Sequence, residues 1–148
     1  MSRAFVKEDD GSRPEILAEL LVSTLPNLVT HRGLRLIAER MAELDAALAA
    51  GPDVAVATRL RRDLRYWQRR HATARPTAPD PADPAVQFGS RVTYRTEDGE
   101  TRTVTLTGED EADPASGTIA YAAPVARALT GAVAGSTVTL TLRGRPTE

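Results

Sequence analysis

The chain contains no cysteine, which removes disulfides, thiolate metal sites and cysteine nucleophiles together. Aromatic residues make up only 4% of its 148 residues, so Leu, Val and Ala must fill most of any core. No apolar run approaches 18 residues, and the opening "MSRAFVKEDD" lacks the hydrophobic stretch of a secretory signal. A cytoplasmic location without membrane association is the expectation. No Ser-His-Asp order, P-loop or Gly-rich dinucleotide fingerprint occurs, and no internal repeat stands out.

Charge is present but unevenly placed. The net value of −1 conceals ten Arg against five acids over residues 31–75, and six Arg against eight acids over residues 86–148. A basic segment beside an acidic one directs attention to partners.

Four segments follow from the pattern. Residues 1–30 read as an extended N-terminal arm, with a helical turn near Leu17 and an order that depends on docking. In residues 31–75, Leu34, Ile37, Met41, Leu44 and Leu48 recur at heptad spacing behind Thr30, a suitable helix N-cap. Gly51-Pro52 interrupts the pattern, with Gly ending one helix and Pro suited to the first turn of the next. A second seam then runs through Val56, Leu60, Leu64, Trp67 and His71. Two such helices on a short connection predict an antiparallel hairpin roughly 30 Å long. Residues 76–85 are a proline-rich, stiff linker. Over residues 86–148 the period changes to two in "RVTYR", "TRTVTLTG", "TIAYA" and "STVTLTL", with turns at Asp98-Gly99 and Gly135-Ser136. "PVARALTG" reads as a short helix ended by Gly131. The fold class is therefore α+β: a helical hairpin, then a small antiparallel sheet with one short helix.

Three features could carry chemistry. "GEDEADP" places Glu109, Asp110, Glu111 and Asp113 within five residues. It fails an EF-hand template at the ninth and twelfth positions, and paired catalytic carboxylates are recognised by geometry rather than crowding. The structural reading is a solvated acidic turn between two strands, made rigid by Pro114. His31 and His71 fall near the open end of the hairpin, but two histidines without a third ligand make a poor zinc site. Arg62, Arg65 and Arg69 recur at i, i+3 and i+7 on the second helix. They form either a solvated face, paired in part with Glu39, Glu43 and Asp63, or a weak nucleic-acid-binding surface.

The order of parts, with "FGS" opening the first strand, "GEDEADP" after the third and "APVARALTG" near the end, resembles the Gre family of bacterial transcript-cleavage and elongation factors. "VTHRGLRLIAERMAEL" is similar to the opening of that family's coiled coil. The resemblance spans residues 27–142. It implies an FKBP-like C-terminal domain that docks on the rim of the RNA polymerase secondary channel, with the coiled coil entering the channel. Carried onto this sequence, the docking positions are Ala120, Ala122 and Pro124, and the coiled-coil tip holds Asp53. The family's cleavage factors carry paired tip carboxylates that help hold a second Mg²⁺. Here the tip is "LAAGPDVAVA", on a shorter hairpin, with Asp53 alone in the turn and Asp45 about two helical turns back.

The resemblance thus implies a monomeric, non-enzymatic factor without a cofactor or metal site of its own. It would bind polymerase and modulate elongation or initiation without efficient stimulation of cleavage. Two rival readings are a nucleic-acid-binding hairpin and a peptidyl-prolyl isomerase. The latter would have to build its proline pocket from Phe88, Tyr94 and Tyr121.

Overall fold

The computed structural model describes residues 17–140. In chain order the elements are β1 (Leu28–Val29), α1 (His31–Ala49), α2 (Val54–Thr73), β2 (Arg75–Pro76), β3 (Arg91–Arg95), β4 (Thr101–Thr107), a 3-10 turn (Pro114–Ser116), β5 (Thr118–Ala120) and α3 (Pro124–Leu129).

The hairpin forms where the heptads place it. Thr30 caps α1, its hydroxyl accepting from the Gly33 amide at 2.9 Å. Ile37 and Leu44 are essentially buried between the helices, while Leu34, Met41 and Leu48 are half-buried at the edges of the seam. The connection turns on Gly51, whose φ of 72° is accessible to glycine without strain. Pro52 lies one residue before the cap of α2 rather than in its first turn, because Asp53 takes the N-cap position.

The register of α2 departs from the expected seam. Leu60, Leu64 and Trp67 are half-buried, but Ala57 is buried while Val56 is 38% exposed. At the other end Arg70 is buried and His71 is exposed. At the Arg70 end the departure has a physical cause: carboxylates from a distant loop meet Arg70 and allow its charge to be buried.

Two small sheets complete the fold. β1 and β2 pair in parallel, Leu28 with Arg75 and Val29 with Pro76, across the open end of the hairpin. The linker therefore begins inside a strand pair. The second sheet has the order β3-β4-β5. β3 and β4 form an antiparallel hairpin around Gly99, as the Asp98-Gly99 signal predicts. β5, however, runs parallel to β4, so the sheet is mixed rather than antiparallel. The chain reverses through the acidic loop and the 3-10 turn before β5, and this crossover permits the parallel direction. Leu106 on β4 and Ala126 and Leu129 on α3 are the buried apolar side chains of this half. Residues 136–140 of the expected strand "STVTLTL" take no strand conformation, and Val138 and Leu140 are exposed. The rest of that segment, like residues 1–16 of the arm, lies outside the described residues. Residues 17–20 contain no helical turn.

Candidate functional site

The acidic loop is the junction between the hairpin and the sheet. Each residue from Gly108 to Glu111 meets a different part of the hairpin base or the arm. Gly108 packs so tightly against β1 that a Cβ there would sit 2.3 Å from the Leu28 carbonyl oxygen. Glu109 accepts from the Ser23 hydroxyl at 3.0 Å and faces Arg70 at 3.7 Å. Asp110 accepts from the Tyr66 hydroxyl and from Arg70 Nε, each at 2.5 Å. Tyr66 and Arg70 are four residues apart on α2, so one carboxylate reaches both on a single helix face. Burial and the bond to Asp110 push the Tyr66 phenol up to about 12.

Glu111 completes the junction at the N-terminus of α1. It accepts from the Thr30 hydroxyl and from Arg32 Nη1, the latter at 3.0 Å. A capping box would place Glu or Gln at the third helical position, which here is Gly33. The missing Cβ leaves room for a carboxylate from 78 positions further along the chain: a side chain on Gly33 would meet Glu111 Oε1 at 2.8 Å. The first turn of α1 has no acid of its own, so Glu111 supplies the negative charge that the helix dipole favours there. The solvated turn expected from the sequence is thus corrected. Glu111 is 9% exposed and the Asp110 side chain 10%, because both are paired across the junction. Only Asp113 among the four acids is exposed, and it accepts from the Ser116 hydroxyl within the turn.

Sequence reasoning passed over these pairings. Two signals were available: Gly at the third position behind a threonine cap, and an arginine one residue from the heptad seam.

The other predicted residues lie apart from this junction. Asp53 is at the hairpin tip, where its Oδ1 accepts from the Val56 amide at 2.9 Å and caps α2. The tip around it exposes Val54 and Val56. Among the described residues, no group of three His, Asp or Glu side chains is placed to hold a metal ion. His31 and His71 are both exposed. Arg62, Arg65 and Arg69 share one side of α2. Arg62 pairs with Asp63 at 3.1 Å, and Arg65 pairs with Glu19 of the arm at 2.6 Å. Glu39 and Glu43 do not pair with these arginines; Glu43 binds Arg40 on its own helix.

Ala120 closes β5, Ala122 follows in the turn, and both are half-buried; Pro124 opens α3 and is exposed. Between them, the Tyr121 hydroxyl donates to the Pro26 carbonyl at 2.6 Å. Its ring stands edge-on to Phe88, with centroids 5.6 Å apart. Those two aromatics therefore spend part of their surface on each other. No helix in the described residues is long and apolar enough to cross a membrane.

Residues 81–148, which carry β3, β4, β5, α3 and the acidic loop, match the family model of the C-terminal domain of the transcription elongation factors GreA/GreB. A curated relative, transcription elongation factor GreA of Desulfovibrio desulfuricans, is 44% identical over 64 residues. That stretch is 42% of this chain and 40% of the relative, so the match spans less than half of the relative's length. Among solved structures, the transcription factor Gfh1 aligns over 78% of this chain and 88% of its own, with 18% identity and a TM-score of 0.37. A GreA/GreB factor from Nitrosomonas europaea aligns over 74% and 81%, with 26% identity and a TM-score of 0.34. Overlays this loose carry no residue assignments. Through its residues 81–148, the chain is similar to the C-terminal domain of the GreA/GreB transcription elongation factors.

Proposed function

We propose that this protein is an RNA polymerase-binding transcription factor that acts through the secondary channel. The observation that carries the reading is the family match over residues 81–148, preceded by a helical hairpin that the acidic loop locks to the matched segment. In this reading residues 86–148 form an FKBP-like domain, Ala120, Ala122 and Pro124 face the channel rim, and the hairpin projects inward. The interlock has a functional consequence: a hairpin tied to its docking domain holds its tip in one direction.

The tip favours occupancy of the channel over stimulation of transcript cleavage. Asp53 is the lone acid of the turn and already accepts from the Val56 amide as a helix cap. A hard divalent cation held by a single carboxylate keeps most of its water and binds weakly. The factor would then modulate elongation or initiation by filling the channel, with no chemistry of its own. Retention on immobilised core RNA polymerase tests the docking. Pro124→Asp should weaken retention by placing an unpaired charge in the contact; undiminished binding by the folded variant would locate the contact elsewhere. In a stalled, backtracked complex with Mg²⁺, the protein should leave the RNA 3′ end uncut and reduce the effect of a competing cleavage factor. Robust cleavage abolished by Asp53→Ala would refute the occupancy reading.

A second reading, contact with nucleic acid along α2, is favoured by one observation. Arg69 is exposed and enters no ion pair among the described residues, beside Arg62 and Arg65. Binding of this kind weakens steeply with salt as counterions are released. A salt-insensitive association with a labelled oligonucleotide would count against it.

A further inference from the structure

Residues 17–26 form no helix or strand, yet they follow a defined course along the hairpin base. Glu19 binds Arg65 on α2, Ser23 donates to Glu109 in the acidic loop, and Pro26 accepts from Tyr121 beyond β5. Apolar burial contributes little to holding this segment: Leu21 is 95% exposed, and Leu20 and Leu25 are also exposed. Polar contacts keep it in place, and exposed ion pairs of this sort exchange readily.

The Glu19 contact has the geometry of a ligand. Arg65 Nη2 reaches Glu19 Oε1 at 2.6 Å, while Nε lies 2.9 Å from Oε1 and 3.1 Å from Oε2. A guanidinium grips phosphate with the same planar, two-pronged approach. Arg62 and Arg69 flank Arg65 at three and four residues along the helix. The Arg65 hydrogen bond, with the charges of Arg65, Arg69 and Arg62, holds the Glu19 carboxyl below its ordinary value against a partial loss of hydration. One arm carboxylate thus lies in the field of three arginines, whose only other acidic partner among the described residues is Asp63 on Arg62.

We propose that Glu19 is an internal occupant of a phosphate site on α2, and that residues 17–26 are a strap withholding the arginine face from a nucleic-acid backbone until a phosphate displaces the carboxylate. The proposal deepens the second reading above and rests on it. The strap holds by an exposed ion pair and a few hydrogen bonds, so the mask is weak enough for a polyanion to open.

The test is fluorescence anisotropy of a fluorescein-labelled single-stranded RNA, titrated with the full chain, Glu19→Ala, Arg65→Gln and the double variant across a sodium chloride series. Glu19→Ala should bind about two- to fivefold more tightly at low salt, the range expected from releasing one exposed ion pair. The slope of log affinity against log salt should steepen by about 0.7, one further phosphate neutralised on a single strand. In the double variant both gains should disappear. Equal affinities and parallel salt plots for the wild type and Glu19→Ala would overturn the strap while leaving nucleic-acid contact standing. Failure of every protein to bind at low salt would overturn both.

Discussion

Arg70 Nε donates to Asp110 Oδ2 at 2.5 Å, joining the last turns of α2 to a loop 40 residues further along the chain. Only 3% of the Arg70 side chain and 10% of the Asp110 side chain remain exposed. Removing one member leaves the other charged and buried, which typically costs about 3–5 kcal/mol. Asp110→Ala should fall near the low end of that range, because Glu109 stays 3.7 Å from Arg70. Urea unfolding would measure the loss. Replacing both residues with apolar ones should cost less than the two single changes added together, and simple additivity would show that the pair is not coupled.

Gly108→Ala tests the contact between the acidic loop and β1. The new methyl would sit 2.3 Å from a backbone oxygen of Leu28, which cannot rotate away. Overpacking of this kind costs about 1–3 kcal/mol. Gly131→Ala provides a contrast, since nothing lies within 4 Å of its added Cβ and only its φ of 86° opposes the change. Of the two, only Gly108→Ala should disturb amide resonances at Leu28 and Val29.

Asp53 separates capping from coordination. Asp53→Ala should cost about 0.5–2 kcal/mol through loss of the cap on α2, whereas Asp53→Asn should cost close to none, since Asn caps equally well. Asn is a poorer ligand for a hard cation. If Asp53→Asn also leaves polymerase-linked behaviour unchanged in the backtracked-complex assay, the side chain acts at the tip as a cap alone. A stable Asp53→Asn variant with altered transcript cleavage would contradict that assignment.

The Tyr66 phenol gives an alkaline signature. Its pKa rises from the ordinary 10 to about 12 in the folded chain, so between those values the folded state holds a proton that the unfolded state has released. Stability from this group is fully present below pH 10 and is lost as pH climbs through 12. Tyr66→Phe should remove that part of the alkaline decline, seen as a flatter dependence of the urea midpoint on pH over the same interval. An unchanged decline would mean that Tyr66 is not held buried against Asp110 in solution.

The sequence alone determined the local elements, because each rests on signals a few residues apart. Thr30 and Gly51 mark the limits of α1, and the repeats through Ile37 and Leu44 identify the residues that pack between the helices. Asp98-Gly99 marks the β3-β4 turn, and Pro124 with Gly131 brackets α3. The direction of β5 was not legible, since alternation of apolar residues identifies a strand but neither its neighbour nor its polarity. Nor was the absence of strand structure over residues 136–140, whose Val and Thr alternate as they do in β4.

The acidic loop shows most clearly what tertiary structure decided. As a string, "GEDE" is a run of charge that water would solvate. In the fold, Glu109, Asp110 and Glu111 each meet a partner between 40 and 86 positions away, at Ser23, Arg70 and Arg32. A buried charge is tolerated only beside its counter-charge, and which charges become neighbours depends on how the two halves pack. The same holds for Arg65, which reads as part of a solvated face until the arm delivers Glu19 to it. Local propensity wrote the helices and turns; long-range pairing of charge turned an acidic turn into the joint that holds the hairpin to the sheet.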